Sequence, residues 1–402
     1  MKLRQYQVDS IAEVVSHLGE LGTGSGVMLQ SATGSGKTVM GVKLLEMWME
    51  QFPELAHAWV THRRELRKQS GQILSKNDLD VMYMSDAPPN KRAWYPGTVN
   101  VVSPGLRRWP VFTSRNRPGL MVVDEAHHTP AATWARLVTR WQNKGGVVVG
   151  LTATPWRLSK QQGFTQWYDR IVCGPTIHKL QEDEYLARPR LVNPPNATIS
   201  DEDAKLMSTG DYAFDWMEES VASLLSHKPV CEHLLEKTKK MRDKRTMWFV
   251  PTVHCAHMLK QLLEYKTGEE SSVLTGDTPP VDRDRMLAAL RKGRLTHLIS
   301  VDVLGEGVDL PSVPIIASLR TTKSLAVWLQ QCGRGSRPKG KDKAGHYTVL
   351  DYAGNAQRHG TPDCPREWFL EPRSVHAQGM AVPPTAQCHS CLLYTSPSPR
   401  DS

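Results

Sequence analysis

The hydrophobic residues of this chain cluster in short runs rich in valine and isoleucine, separated by longer stretches with helical spacing of apolar positions. Such runs are typical of parallel strands that are buried on both faces and connected by helices. The pattern occurs twice and predicts two α/β units. We expect strands at Val27–Gln30, Ala56–Thr61, Thr98–Val102, Leu120–Asp124 and Val147–Leu151 in the first unit, and at Met247–Val250, Ser272–Leu274, His297–Val301, Val313–Ser318 and Tyr347–Asp351 in the second.

A stretch containing three prolines, Arg188–Ser200, separates the two series and is expected to be extended chain. Beyond it, Tyr212–Lys240 has the apolar spacing of a helix. We therefore expect a first domain over residues 1–190, a second over 191–355 and a short irregular extension over 356–402. The final residues, Thr395–Ser402, resemble vector-derived sequence and are expected to be a disordered tail.

Composition indicates a folded protein that does not span a membrane. Of 402 residues, 40% are hydrophobic and 23% are charged, close to the averages of globular proteins. The longest strongly apolar run, Val147–Leu151, is far shorter than the roughly 18 residues that cross a bilayer. No apolar signal region is visible near the N-terminus, so we expect a cytoplasmic protein. The seven cysteines are an odd number, which favours reduced thiols over a disulfide framework.

Basic residues outnumber acidic ones, with 50 Lys and Arg against 41 Asp and Glu and a net charge of +9. Some of the basic residues form two local clusters, Arg107–Arg117 and Arg334–Lys343. Such clusters fit a polyanionic partner such as nucleic acid. A solvated basic face has the same pattern, so charge alone leaves both interpretations open.

A glycine-rich segment, Ala32–Thr38, follows the first predicted strand and precedes a helical stretch. It is a short variant of the P-loop, in which Gly34 and Gly36 allow backbone angles that direct successive N–H groups at phosphate. The competing interpretation is a flexible Gly/Ser turn. As a P-loop, the segment predicts an ATP site formed by Thr33, Gly34, Ser35, Gly36, Lys37, which reaches the β- and γ-phosphates, and Thr38, which ligates Mg²⁺.

A carboxylate pair ends the predicted strand Leu120–Asp124, downstream of the P-loop. Asp124 can hold the magnesium ion through water, and Glu125 can orient and deprotonate the attacking water. An Asp-Glu pair alone is commonplace, but one that directly follows an apolar strand in this position indicates phosphoanhydride hydrolysis. We therefore expect Glu125 to be the catalytic base.

With these residues in place, residues 1–355 resemble a superfamily 2 helicase of the DEAH-containing kind, which implies two tandem RecA-like domains with parallel sheets. Asp124–His127 has the sequence Asp-Glu-Ala-His, and Gly150–Pro155 is similar to motif III, which in that family couples the nucleotide site to strand movement. Leu3–Gln7 is similar to the Q motif and implies that Gln7 hydrogen-bonds the adenine edge.

The resemblance also implies contacts with a nucleic-acid backbone. Val60–Leu66 resembles motif Ia, and Val102–Arg107 occupies the place of motif Ib. Leu274–Gly276 matches a short segment that touches the backbone in the family. The residues to which these segments assign that role are Thr61, Arg63, Ser103, Arg107 and Thr275.

Two further segments, Asp302–Pro311 and Gln330–Arg337, resemble motifs V and VI. The first implies that Asp309 lies at the nucleotide. The second implies that Arg334 and Arg337 are arginine fingers, which neutralise charge on the γ-phosphate when the two domains close and raise the rate about 10³- to 10⁵-fold in related NTPases. The other interpretation is a phosphate-binding or solvated basic turn.

Within the superfamily, the form of motif Ia and the pair Asp351–Asn355 and Arg358–Gly360 resemble the bacterial and phage RadD/YejH-type helicases, which are Res-like. That family typically ends in a zinc ribbon of two Cys-x-x-Cys pairs. Cys388 and Cys391 supply one pair, whereas a tetrahedral zinc site needs four ligands. The resemblance therefore implies an incomplete zinc site, and two free thiols are the alternative.

We expect an ATP-dependent nucleic-acid helicase or translocase that uses ATP and Mg²⁺ and acts on DNA. One alternative is the motor subunit of a restriction complex, which would need a nuclease partner. A second is a nucleic-acid-binding protein whose ATPase is inactive. The latter would lack Lys37, Glu125 or Arg337, and all three are present.

Overall fold

The chain folds into two compact units, each of which contains one large sheet. Unit 1 comprises residues 1–176 and 367–379, and unit 2 comprises residues 177–366 and 380–402. The computed structural model describes residues 3–61, 64–85, 93–106, 109–113, 116–192, 199, 201, 203–228, 232–233, 236, 245–301, 312–337, 345–374, 386–387 and 393–395.

Unit 1 contains a seven-stranded sheet in the order β3-β4-β2-β5-β6-β1-β7, and all its pairs are parallel. Its central strands are buried along their whole length, as expected of strands that are covered on both faces. The strands are β1 Gly26–Gln30, β2 Ala56–Val60, β3 Val81–Tyr83, β4 Val99–Val102, β5 Pro118–Asp124, β6 Val147–Thr152 and β7 Arg170–Cys173.

The helices of unit 1 pack their apolar stripes on the two faces of this sheet. In α1, Ile11, Val14 and Leu18 are buried at the three- and four-residue spacing of one helix face. They join a core on one side of the sheet, while Trp134 and Trp141 of α4 join the core on the other. The helices are α1 Gln5–Leu21, α2 Lys37–Gln51, α3 Arg64–Ser75 and α4 Ala132–Gln142, with a 3₁₀ turn at Ala126–His128.

Unit 2 contains an eight-stranded sheet in the order β10-β11-β9-β12-β13-β8-β15-β14. The strands from β10 to β8 are parallel, whereas β15 pairs antiparallel with β8 and with β14. The strands are β8 Arg188–Val192, β9 Thr246–Val250, β10 Ser271–Leu274, β11 His297–Val301, β12 Ile315–Ser318, β13 His346–Asp351, β14 Ala386–Gln387 and β15 Leu393–Thr395. The helices are α5 Ile177–Glu182, α6 Phe214–Ser226, α7 Val253–Thr267, α8 Pro280–Arg291, α9 Leu325–Gly333 and α10 Asn355–His359.

The expected fold class is confirmed: two α/β units with parallel sheets form tandem RecA-like domains. Each expected strand coincides with an observed strand to within a residue or two at either end. The expected strand series omitted the flanking strands β3, β7, β8, β14 and β15. Among the described residues, the helices lack the combined length and apolar character needed to cross a bilayer.

The division between the units differs from the expected boundary near residue 190. It falls between Thr176 and Ile177 because β8 pairs with β13 and so belongs to the second sheet. The expected irregular extension differs as well. Residues 355–359 form α10 within unit 2, and residues 367–374 belong to unit 1.

Candidate ATP-hydrolysis site and nucleic-acid-binding segments

The segments of unit 1 that were predicted to bind ATP or nucleic acid lie where five neighbouring parallel β-strands end. Because the strands run in one direction, their carboxyl ends lie along one edge of the sheet. In the order β4, β2, β5, β6 and β1, this edge carries Ser103, Thr61, Asp124, the residues after Thr152, and the P-loop. The residues that are expected to contact nucleic acid therefore neighbour one another, and they lie next to the residues that are expected to act in hydrolysis.

The P-loop requires its glycines. Gly34 and Gly36 have φ values of 87° and 89°, in the left-handed region that residues with a Cβ rarely adopt. A Cβ on Gly36 would also lie 2.6 Å from Nε2 of Gln7. α2 begins directly after this turn at Lys37, so its first N–H groups face the loop.

The side chains of this loop suit a triphosphate and a divalent ion. The Nζ of Lys37 donates hydrogen bonds to the carbonyl oxygens of Ser31 (3.0 Å) and Ala32 (3.3 Å), so the ammonium lies inside the curve of the loop. Thr33 and Thr38 are partly exposed, and the hydroxyl of Thr38 is an oxygen ligand of the kind Mg²⁺ prefers. The structure thus brings together the expected phosphate-binding residues.

The Q-motif residues hold the backbone of the P-loop. The Tyr6 hydroxyl (2.6 Å) and Nε2 of Gln7 (2.9 Å) both donate to the carbonyl oxygen of Ser35. Oε1 of Gln7 accepts from the backbone N–H of Arg4 at 3.0 Å. Both the oxygen and the nitrogen of the buried Gln7 side-chain amide therefore form hydrogen bonds within the protein. The expected contact of Gln7 with adenine stays a prediction. The sequence pointed to Gln7 but not to this role or to Tyr6.

The two carboxylates that are expected to act in hydrolysis lie at the end of β5 and in the strained turn that follows it. Glu125 has φ 54° and ψ 51°, a left-handed conformation that is uncommon for a residue with a side chain and is enriched at functional sites. Its backbone N–H donates to Oδ1 of Asp124 at 3.1 Å. Both carboxylates are partly exposed, so water and a metal ion can reach them.

His127 joins these carboxylates to motif III. Its Nδ1 lies 3.4 Å from Oε2 of Glu125 and 3.2 Å from Oγ1 of Thr152. The same Oγ1 accepts the backbone N–H of Thr154 at 3.1 Å. Nε2 of Gln30, at the end of β1, donates to the carbonyl of Ala153 at 2.9 Å. The end of β1, the Asp124–His127 segment and motif III are therefore connected by direct contacts.

The two described residues that were expected to contact nucleic acid in unit 1 differ in accessibility. Thr61 is only 1% exposed, and its backbone N–H donates to the carbonyl of Val102 at 3.1 Å. Ser103 is partly exposed in a turn closed by the bond from the Leu106 N–H to its carbonyl, at 3.2 Å. Ser103 is therefore better placed than Thr61 to contact a nucleic-acid strand. Arg63 and Arg107 lie outside the described residues.

In unit 2, the motif VI segment forms the end of α9 and the turn that follows it. The Arg334 residue is only 7% exposed, whereas Arg337 is partly exposed. Oγ of Ser336 donates to the carbonyl of Gly333 at 2.9 Å, and Oγ of Ser312 donates to that of Arg337 at 2.9 Å. These bonds fix the backbone that carries both arginines. Their expected action on a γ-phosphate stays a prediction.

A buried polar network that sequence analysis missed supports α9. Nδ2 of Asn355 donates to Oγ of Ser318 (3.1 Å) and to the carbonyl of Arg320 (2.9 Å). Oγ of Ser318 in turn donates to Oε1 of Gln331 in motif VI at 3.1 Å. The only signal for this network was the Asp351–Asn355 segment, which suggested a subfamily but no contact.

Asp351 begins that segment and is fully buried. Its Oδ2 accepts the backbone N–H of Ala356 at 2.7 Å. Burial raises the pKa of the Asp351 carboxyl to about 6, against the smaller opposing effect of the backbone hydrogen bonds. The group therefore titrates closer to neutrality than an ordinary aspartate.

Of the remaining expected site residues, Thr275 lies in the described part of the chain. Thr275 follows β10 in a turn, where its N–H donates to Oγ1 of Thr278 at 2.9 Å. Asp309, Cys388 and Cys391 lie outside the described residues. Within the described residues, no group of three or more His, Cys, Asp or Glu is placed to hold a metal ion, and zinc binding gains no support.

Two protein families match the chain in the order of the two units. Residues 1–157 match the family described as type III restriction enzyme, res subunit, and residues 227–339 match the helicase conserved C-terminal domain. A 51.5 kDa protein of a Lactococcus phage (isolate 7-9) is 26% identical over 342 residues, which are 85% of this chain and 68% of that protein. The putative ATP-dependent helicase IRC3 of Saccharomyces cerevisiae is 27% identical over 373 residues, 88% of this chain but 51% of the relative.

Solved helicase structures have the same fold. The type ISP restriction-modification enzyme LlaBIII bound to DNA aligns with 87% of this chain and 27% of its own at a TM-score of 0.58 and 15% identity. Saccharomyces cerevisiae Dbp5 bound to RNA and ADP BeF3 aligns with 89% and 90% at a TM-score of 0.53 and 16% identity.

The two units have the tandem RecA-like fold, and the two matching families place the chain in the helicase class. Within that class, a Res-type domain followed by the helicase C-terminal domain is consistent with a Res-like helicase of superfamily 2. Such helicases use ATP and a divalent metal ion. The chain spans roughly half to two thirds of the length of the two relatives described above.

Proposed function

We propose that this chain is an ATP hydrolase that moves along a nucleic-acid strand, as a helicase or translocase. The observation that carries the proposal is a series of contacts in unit 1 that starts at Ser35 of the P-loop and ends at Glu125. Ser31 contacts Ser35 and Thr152, and His127 contacts Thr152 and Glu125. This arrangement joins a phosphate-binding loop to a carboxylate base. Unit 2 would contribute two arginines, Arg334 and Arg337, from the turn that follows α9.

In the proposed hydrolysis, Glu125 accepts a proton from water as the water oxygen attacks the γ-phosphorus and the bond to the β-phosphate oxygen breaks. Lys37 neutralises charge on the β- and γ-phosphates. Thr38 and Asp124 would hold Mg²⁺, directly and through water respectively, and the bound ion would offset the charge of the triphosphate. Arg334, Arg337 and Asp309 of unit 2 would complete the site.

The proposed strand is DNA, held at its phosphates. Ser103 in unit 1 and Thr275 in unit 2 offer hydroxyl groups in turns after parallel strands, and Arg63 and Arg107 would add charge. Contacts of this kind position a strand without reading its sequence, and they weaken steeply with salt. The net charge of +9 favours the same partner. LlaBIII is bound to DNA and Dbp5 to RNA, so the test includes both kinds of nucleic acid.

A second candidate is the motor subunit of a restriction complex. Two observations favour it: the match of residues 1–157 to the res subunit of type III restriction enzymes and the likeness to LlaBIII. Such a subunit would share the ATP site and would cut DNA only with a nuclease partner. The two candidates therefore make the same prediction for ATP turnover and differ in partners.

The decisive experiment measures ATP turnover by the full chain with no polynucleotide, single-stranded DNA, duplex DNA, forked DNA or RNA. We expect single-stranded or forked DNA to stimulate turnover more than RNA does. Lys37→Ala serves as the control for contaminating ATPases and should have no turnover while still binding the strand. Absence of turnover under all conditions would contradict an ATP-driven motor. Equal stimulation by RNA would contradict the choice of DNA.

A further inference from the structure

A segment near the end of the described chain, residues 367–374, packs on unit 1 although unit 2 precedes it in sequence. We call this segment the C-terminal strap. Leu370 is 6% exposed in the core that contains Phe164, and its carbonyl accepts the Phe164 N–H at 2.6 Å. The N–H of Ser374 donates to the carbonyl of Lys160 at 2.9 Å. The strap is therefore anchored along residues 160–164.

The strap also contacts the chain that leaves motif III. The guanidinium carbon of Arg373 lies 4.5 Å from the ring centroid of Trp156, a cation–π contact with a buried tryptophan. Its Nη1 donates to the carbonyl of Arg157 at 3.3 Å. Trp156 and Arg157 directly follow Pro155, the last residue of motif III. One strap side chain thus holds two successive residues beside the hydrolytic centre.

Arg157 extends this series of contacts to the Asp124–His127 segment. Its Nη1 donates to the carbonyl of His127 at 3.3 Å, and its Nε donates to Oε1 of Gln162 at 3.1 Å. The His127 carbonyl belongs to the 3₁₀ turn that directly follows Glu125. Arg157 is partly buried, and this burial lowers the pKa of its guanidinium. Hydrogen bonds from a partly desolvated cation are stronger than those in water.

We propose that Arg157 is a positioning residue for ATP hydrolysis: it holds the His127 backbone so that Glu125 keeps its catalytic place, with the C-terminal strap as its support. The inference rests on the proposed function. Glu125 adopts a strained left-handed conformation, which persists only when surrounding contacts over-determine it. The His127 ring contacts both Glu125 and Thr152. Movement of the His127 backbone would therefore displace both partners.

The test compares full-length Arg157→Ala, Arg157→Lys and Arg373→Ala with wild type and with Arg140→Ala, an exposed arginine on α4. Steady-state ATP turnover gives kcat and KM, binding of a fluorescent ATP analogue gives affinity, and thermal unfolding reports the fold. We expect Arg157→Ala to lower kcat about tenfold or more, because small displacements of catalytic groups have effects of this size. KM and analogue affinity should stay within about twofold of wild type.

The other variants separate positioning from general stability. Lysine keeps the charge but lacks the planar fork that reaches both His127 and Gln162, so Arg157→Lys should recover part of the lost kcat. Arg373→Ala should lower kcat less than Arg157→Ala does, and Arg140→Ala should match wild type. If Arg157→Ala does not fold, the Arg157→Lys and Arg373→Ala values decide, and wild-type kcat in both would overturn the proposal.

Two results would overturn the inference while the proposed function stands. One is a wild-type kcat in Arg157→Ala, and the other is a parallel loss of kcat, affinity and unfolding temperature, as a merely structural residue would produce. A wild-type chain without ATP turnover would instead overturn the proposed function and this inference together.

Discussion

Nδ1 of His127 lies 3.2 Å from Oγ1 of Thr152, although the two residues belong to different strand ends. The contact exists because β5 and β6 are neighbours in the sheet, with Asp124 in register with Leu151. The same histidine nitrogen lies 3.4 Å from the Glu125 carboxylate. A change in motif III can therefore reach the carboxylate base through one side chain.

Thr152→Val should weaken this link, because valine has nearly the shape of threonine but no hydroxyl. It removes the contact with His127 and the acceptor for the Thr154 N–H. At about 0.5–1.5 kcal/mol for a hydrogen bond, we expect strand-stimulated kcat to fall about three- to tenfold. ATP affinity should change little, as steady-state assays and analogue binding would show. Thr139→Val is the matched control, because it removes a threonine hydroxyl that accepts a hydrogen bond from Trp167 away from the site. An equal loss of kcat in Thr139→Val would contradict the link between Thr152 and His127.

Glu125→Gln should abolish most ATP turnover while ATP binding remains. Glutamine preserves size and hydrogen-bonding capacity but cannot accept the proton of the attacking water. We expect kcat to fall at least about 100-fold, within the usual contribution of general base catalysis. Glu50→Gln, on the exposed end of α2, makes the same chemical change outside the site. Wild-type turnover in Glu125→Gln would refute the assignment of the base.

Arg337→Ala should lower strand-stimulated hydrolysis far more than ATP affinity. Removal of an arginine finger costs about 10³-fold or more in related enzymes. Arg337 is the cleaner position to test, because Arg334 is buried and its replacement would also disturb the fold. Arg291 is exposed at the end of α8, so Arg291→Ala controls for the loss of a positive charge. If Arg337→Ala weakens only DNA binding, the residue is a strand contact and no finger.

Asp351 should make the stability of the protein depend on pH. Its pKa is about 6 in the fold against 3.8 for the ordinary group, so the folded state holds the proton more tightly. The stabilisation is present in full below pH 4 and is lost as pH rises through 6. Two pH units correspond to up to about 3 kcal/mol. Asp351→Asn should remove this pH dependence of stability.

Chemical denaturation at pH 4.5 and pH 7 measures that effect. The free energy of unfolding of wild type should fall relative to Asp351→Asn between the two values. Asp284→Asn, on the exposed face of α8, should follow wild type and serves as the control. A constant difference between wild type and Asp351→Asn at both pH values would contradict the raised pKa.

The sequence by itself determined the class of fold and the local environment of the ATP site. Strands buried on both faces must be apolar throughout, so runs such as Val147–Leu151 identify the sheet. The P-loop is equally local, since its glycines, Lys37 and the start of α2 are neighbours in the chain. The carboxylate pair was predictable because it ends an apolar strand.

Only the tertiary structure decided which of these pieces touch. The contacts of Ser35 with Tyr6 and Gln7, and of His127 with Thr152, join residues that are far apart in sequence. The same is true of Arg373 and Arg157 in the strap. Such contacts depend on strand order and on packing between distant segments, and they leave no periodicity in the sequence. Residues 367–374 look irregular as a sequence because one apolar anchor, Leu370, and backbone hydrogen bonds suffice to dock them.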